Sequence, residues 1–233
     1  SDNHPSYLKF VEKEKDYFSS PKFESDKKFW ENYINDLPEA IPFKEIYSKK
    51  TCKSKRFKKE IPLSTEIKDF CSRNKVSPFD FFITAYSIYL YKAQSKTDFT
   101  IGTPLLNRKN FVDKDTFGMF VSTAPLKIHI ENDQSIKDFI KNVSLSLMGI
   151  MRHESYPYNA IMEYIHSKYS STTNLFDTII SFQNIEPDSE NIDCDFDSEW
   201  FEPGNQQSSM EMHITNYKGD GNYTVALDYN VDL

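Results

Sequence analysis

Glycine is scarce in this chain, with 6 in 233 residues. That shortage argues against flexible glycine joints and against a glycine-rich phosphate cradle. No Gly/Ser-rich or Pro-rich linker divides the sequence and no repeat of fixed period recurs, so it reads as one domain. Cysteine is scarcer still. Cys52, Cys71 and Cys194 are odd in number and widely spaced, which argues against a disulfide framework or a zinc site. They read as unpaired thiols in a reducing cytoplasm, where the triplets Asn142-Val143-Ser144 and Asn222-Tyr223-Thr224 carry no glycosylation meaning. No apolar run nears the roughly 18 residues that cross a bilayer, and Ser1-Asp2-Asn3-His4-Pro5 has neither the basic nor the apolar part of a signal peptide, so no membrane is expected. Positive charge is also in deficit: Lys+Arg is 28 against Asp+Glu 35, a formal charge of −7. A binder of phosphate backbones carries the opposite sign, so nucleic acid is not an expected partner.

What is plentiful is ring and apolar surface: 38% hydrophobic and 15% aromatic residues are enough for a sizeable core. Phe29, Trp30, Tyr33, Ile34 and Leu37 recur at helical spacing after Ser25 and stop at Pro38. Arg56 to Ile61 reads as a short strand ended by Pro62, and a helix follows Ser64 with Ile67, Phe70 and Cys71 on one face. Ser77-Pro78-Phe79-Asp80 supplies an N-cap, a proline at the first helical position and a carboxylate for the free amides. The helix it opens is apolar almost all round through Tyr91, hence covered. Phe99 to Gly102 predicts a strand that stops at Pro104, 105–117 a polar loop, and Met119 to Ile130 a β segment interrupted at Ala124-Pro125. Ser135 caps the clearest helix, whose stripe runs Ile136, Phe139, Ile140, Val143, Leu147, Ile150 and Met151, with Asp138 as half of a capping box. A short helix follows Pro157, and strands are expected at Thr178–Gln183, Met210–Tyr217 and Tyr223–Tyr229. A hairpin turn at Lys218-Gly219-Asp220-Gly221-Asn222 joins the last two. The acidic run from Glu186 to Glu199 reads as a solvated loop. Helices early and strands late give an α/β fold, a two-layer sandwich of a mixed β-sheet packed with helices.

Four stretches, in order, resemble the condensation domains of nonribosomal peptide synthetases. Phe117-Gly118-Met119-Phe120-Val121-Ser122-Thr123-Ala124-Pro125-Leu126 is similar to the family's G-x-F-V-N-T motif, with Ser122 in place of Asn. Ile101-Gly102-Thr103-Pro104-Leu105-Leu106-Asn107-Arg108 resembles the segment that opens its floor loop. His153-Glu154-Ser155-Tyr156-Pro157-Tyr158-Asn159 resembles H-Q-x-Y-P-F/Y, and Leu175-Phe176-Asp177 through Ser181-Phe182-Gln183-Asn184 the strand that follows. Fainter echoes lie at Tyr7-Leu8-Lys9-Phe10 with Trp30 and at Leu227 to Leu233. The family's reaction centre, a His-His-x-x-x-Asp-Gly motif, has no counterpart among His4, His129, His153, His166 and His213. The resemblance therefore implies that residues 1–233 are the C-terminal subdomain, a chloramphenicol-acetyltransferase-like lobe, with the N-terminal lobe absent.

By the same resemblance, the full domain joins two acyl or aminoacyl thioesters by amide bond formation. This lobe would form one wall of a tunnel and the floor loop (Gly102 to Phe117), and would be inactive alone. The implied partners are the N-terminal lobe, peptidyl or acyl carrier domains and an adjoining adenylation domain. No cofactor is expected in this chain; the phosphopantetheine arm is presented by the carriers. The alternatives are a non-catalytic carrier-binding module, or a lobe of a related epimerisation or heterocyclisation domain or acyltransferase.

Six residues are candidates for the tunnel, and no catalytic residue or metal ligand is assigned. His153 lies just past the Ser135 helix, whose C-terminal dipole attracts positive charge. It can serve as a base, but a base needs a placed partner and no Ser or Cys nucleophile stands near it. The preferred role is a ring that fixes the turn into Tyr156-Pro157 by hydrogen bonding to backbone. Ser122 matches the family motif and would orient the amine or the thioester carbonyl. Thr123 faces the other way by strand alternation, and both are otherwise ordinary hydroxyls on a half-buried strand. Arg108 would pair with a carboxylate of the other lobe or a phosphopantetheine phosphate, or else stay solvated. Asp177 reads first as a turn or capping carboxylate. Tyr156, with Tyr158, Phe176 and Phe182, would line an acyl channel or simply fill the core.

Overall fold

The computed structural model describes residues 4–38, 51–62, 64–168, 174–183, 201–202, 204–216 and 222–232. In chain order these form α1 (Tyr7–Phe18), α2 (Pro21–Asn35), β1 (Ser54–Ile61), α3 (Ser64–Asn74), α4 (Pro78–Gln94), β2 (Asp98–Leu105), α5 (Phe111–Lys114), β3 (Ser122–His129), α6 (Ile136–Met151), α7 (Tyr158–Lys168), β4 (Thr178–Gln183), β5 (Met210–Thr215) and β6 (Tyr223–Asn230). The expected turn at 218–221, the acidic run at 186–199 and Cys194 lie outside the described residues. No described helix is long and apolar enough to cross a membrane. The chain divides into two compact units: residues 1–37, 104–124 and 147–173 form the first, and 38–103, 125–146 and 174–233 the second.

In the first unit the helix expected after Ser25 begins earlier, at Pro21. Ser20 is the cap, its hydroxyl accepting the Phe23 amide at 3.2 Å, and Pro21 occupies the first turn, where no amide donor is missed. The buried positions of α2 are Asp26, Trp30 and Ile34, one every four residues. α1 was not expected, although Tyr7, Phe10, Val11 and Tyr17 recur at helical spacing; that face is only half-buried and is interrupted by Glu14. The segment expected to be loop throughout contains α5, a single helical turn capped by Asn110, whose side chain accepts the Asp113 amide at 2.9 Å. The helix after Pro157 is three turns long and buries Ile161 and Ile165.

The second unit is built on a mixed six-stranded sheet in the order β1-β6-β5-β4-β2-β3. β4 runs parallel to β2 and β5, whereas β6 is antiparallel to β5 and β1. β2 continues through Pro104 to Leu105 instead of stopping before the proline, which stands next to the strand's end where a missing amide costs the ladder least. β3 is shorter than expected; it starts at Ser122 and runs through Ala124-Pro125. Gly102 lies against the Phe176 ring so closely that a Cβ would come within 2.5 Å of it. α4 is covered on most of its surface, but Ala85 and Tyr89 are exposed. Phe82 packs on Tyr223 (5.1 Å between centroids) and Phe79 on Phe182 (5.7 Å), so Phe182, half-buried, joins this ring cluster. α3 packs on α4 through Phe70 and Phe81. The stripe of α6 is buried from Phe139 to Ile150, while its end members Ile136 and Met151 are exposed.

The start of α4 is a complete capping box: Ser77 Oγ accepts the Asp80 amide at 3.1 Å and Asp80 accepts the Ser77 amide at 2.7 Å. Replacing Ser77 with Ala is expected to cost about 1 kcal/mol, read as a lower urea midpoint at unchanged slope.

Candidate functional site

The first unit contains a carboxylate with no exposed surface, Asp26, on α2. A buried charge persists only if donors surround it. Three do so, each from a different stretch of chain. Tyr17 Oη on α1 donates to Oδ2 at 2.8 Å. Lys22 Nζ, one turn earlier on α2, reaches Oδ1 at 2.5 Å, and His153 Nδ1 reaches the same oxygen at 2.5 Å. Burial pushes the Asp26 pKa up, but the bonds from Lys22, His153 and Tyr17 outweigh it and hold the group ionised below its ordinary value. The same burial, with the carboxylate beside it, drives the Tyr17 hydroxyl far above its usual range.

An ionised carboxylate only accepts, so the proton on His153 sits at Nδ1. Phe29 stacks on the ring at 3.8 Å and 11°, and Trp30 Nε1 donates to the His153 carbonyl at 3.0 Å. Lys22 also donates to the Arg152 carbonyl at 3.0 Å. His153 thus fixes the turn after α6 through a side-chain partner, Asp26, rather than through backbone. Nε2 has no hydrogen-bond partner among the described residues.

The residues next to His153 hold the loop at 105–117. Glu154 Oε2 accepts the Asn107 amide at 3.3 Å, and Lys109 donates to the Ser155 hydroxyl. Burial raises the Glu154 pKa, opposed by the Lys109 charge and the Asn107 amide. Arg108 turns inward. Its guanidinium donates to the carbonyls of Asp113, of Thr116 at 2.8 Å and of Gly118 at 3.0 Å, and lies 4.1 Å over the Phe120 ring. It is therefore not a simply solvated arginine; it is the frame of its own loop. Gly118 is needed because Tyr7 lies on its backbone: a Cβ would come within 2.2 Å of that ring. Tyr7 Oη donates to the Met119 carbonyl at 2.6 Å, and Phe10 meets Phe120 at 4.2 Å. The loop so framed leaves Leu106, Phe111, Phe117 and Met119 more than two-thirds exposed.

Ser122 and Thr123, half-buried, open β3. Tyr156 is buried against Phe23 at 5.3 Å, its pKa raised by burial and then by the charges of Glu31, Glu163 and Glu24. Arg108, Ser122, Thr123, His153 and Tyr156 all belong to the first unit. Asp177 belongs to the second, where its carboxylate and its carbonyl both accept the Ser209 amide, at 3.3 and 2.9 Å. Asp26, Lys22, Tyr17, Tyr7 and Glu154 were not singled out from sequence. The one available signal was a carboxylate in step with Trp30 and Ile34 on the face that α2 buries.

Three of the four motif stretches supply residues that frame this loop, and a family model gives the motifs a name. The condensation domain model matches residues 1–233, and the chain belongs to that family, found in nonribosomal peptide synthetases. It is 33% identical over 231 residues to surfactin synthase subunit 1 of Bacillus subtilis (strain 168), and 25% identical over 233 residues to a plipastatin synthase of the same strain. Each alignment takes in 98% of this chain, but only 6% and 9% of those proteins. Among solved structures, the condensation domain of the monacolin K polyketide synthase MokA superposes with a TM-score of 0.77 at 14% identity, over 98% of this chain and 56% of that one. The first condensation domain of the CDA synthetase does so with 0.77 at 13%, over 100% and 51%. The chain therefore spans about half the length of the condensation-domain structures it matches, and it shares their chloramphenicol-acetyltransferase-like α/β fold.

Asp26 makes a pH prediction. A carboxyl whose folded pKa is lowered adds stability that is present above its unfolded value, about 3.9, and is lost as the pH falls through the folded one. Asp26→Asn is expected to lose about 3 kcal/mol at neutral pH, because Lys22 and His153 are left facing a neutral amide. In urea melts, the gap from wild type should close below about pH 4.

Proposed function

We propose that this chain is the C-terminal lobe of a condensation domain. In that role it forms one wall and the floor loop of the tunnel in which two carrier-bound thioesters are joined. The reaction is attack of an amine nitrogen on a thioester carbonyl: a C–N bond forms, the C–S bond breaks, the amine gives up a proton and the departing thiol takes one. Holding two arms in line contributes orders of magnitude without any covalent help from the protein. A lobe of this kind contributes a rigid surface, and Arg108, Glu154, Lys109 and Tyr7 are the groups that make this surface rigid.

One observation carries the reading. A loop framed by so many polar bonds presents bare apolar side chains at Leu106, Phe111, Phe117 and Met119, in a chain half as long as the domains it superposes on. Exposed apolar groups on a fixed frame call for a cover, and the other half of the domain is that cover. The partners follow from this reading: the N-terminal lobe, carrier domains with their phosphopantetheine arms, and an adjoining adenylation domain. The setting is the cytoplasm, where free thiols persist; Cys71 is buried, with its pKa pushed up to about 11 by burial and the nearby Asp80 charge.

With two loaded carrier proteins, the chain alone should yield no amide product, and adding the other half of the domain should restore it. Product from the isolated chain would contradict the proposal. Carrier binding in an NMR titration, with no product even after complementation, would replace it with a non-catalytic carrier-binding module.

A further inference from the structure

A chain of polar side chains crosses the sheet of the second unit, and neither the loop nor the tunnel role uses it. The strand registers set Arg56 opposite Asp228, Asp228 opposite Glu211, and His213 opposite Ser181, so residues of β1, β6, β5 and β4 share one face. Arg56 grips both oxygens of Asp228 at 2.6 Å. His213 Nε2 lies 3.5 Å from Asp228 Oδ2 and 3.7 Å from Glu211 Oε2, while Nδ1 lies 2.8 Å from Ser181 Oγ. The imidazole is only 12% exposed.

Serine, histidine and aspartate in series suggest a nucleophile, and the geometry argues against one. Both Asp228 oxygens are taken by Arg56, the imidazole reaches that carboxylate only at 3.5 Å, and Ser181 is buried. The arrangement suits a neutral imidazole instead. Nε2–H points at the two carboxylates, and the Nδ1 lone pair accepts the Ser181 hydroxyl. Adding a proton at Nδ1 sets N–H against O–H, so the serine must turn and the bridge between β4 and β5 changes polarity.

We propose that His213 is an acid-sensitive lock on this sheet: neutral, it ties β4 to β5 beside β6, and protonated, it releases them. Burial pushes the His213 pKa below the ordinary value; the Asp228 and Glu211 charges pull it up, Arg56 pushes it down again, a weak hydrogen bond with Asp228 pulls it up, and the lower value prevails. The unfolded chain therefore binds the proton first as the pH falls. The stability held by neutral His213 is whole above the unfolded value, about 6.5, and is lost as the pH drops through the folded one.

The test follows the ring signal of His213 by NMR in the 233-residue chain, with urea melts between about pH 7.5 and 5. The midpoint should fall below that of an ordinary histidine, and each unit of lowering should appear as about a tenfold rise in the unfolding constant across the window. His213→Asn should remove that rise. Two variants that keep the imidazole should move the midpoint in opposite directions: up in Ser181→Ala, which loses the donor to the neutral form, and down in Glu211→Gln, which loses an attractive charge. An ordinary or raised midpoint, an acid loss that persists in His213→Asn, or a fluorophosphonate adduct on Ser181 would each overturn the proposal.

Discussion

The fully buried carboxylate of Asp26 organises the first unit. Asp26 has no exposed surface, and an unpaired carboxylate there would cost several kcal/mol. Its donors come from α1, from its own helix and from the turn after α6, so folding the carboxylate away means bringing residues 17, 22 and 153 together. That requirement sets the position of His153, and with it the neighbours Glu154 and Ser155 that hold Asn107 and Lys109. The loop's place follows from a charge that is nowhere near the loop in sequence.

The loop itself shows why family-like motifs group as they do. Gly118 admits the Tyr7 ring, Phe120 supports Phe10 and the Arg108 guanidinium, and Arg108 collects three carbonyls from the turn between them. These residues set the shape of a surface. The bare side chains at 106, 111, 117 and 119 are what that shape presents.

Local signals were legible where one short stretch contained the whole physical cause. Ser77-Pro78-x-Asp80 announced α4 because a cap is a local device, and the stripe from Phe139 to Ile150 announced α6 because one buried face has one period. α1 was missed although Tyr7, Phe10, Val11 and Tyr17 recur at helical spacing, because that face is only half-buried and broken by Glu14, and the start of α2 because Ser25 and Ser20 look alike until the proline after Ser20 is weighed. The family and the loop were readable from motif order. The roles of Arg108 and His153 were not, since their partners are carbonyls 5 to 10 residues away and a carboxylate 127 residues away. Ser181 and His213 were out of reach for a similar reason: only the register of parallel strands brings together residues 32 apart.

The most direct test of this account is amide hydrogen exchange at Asn107, whose N–H is held by Glu154, compared between wild type and a variant that removes the carboxylate at 26. If Asp26 places the loop through His153 and Glu154, the variant should lose protection at Asn107 while β4–β6 keep theirs. Unchanged protection at Asn107 in a variant whose α1 and α2 have loosened would contradict the account, for the loop would then stand without the buried charge.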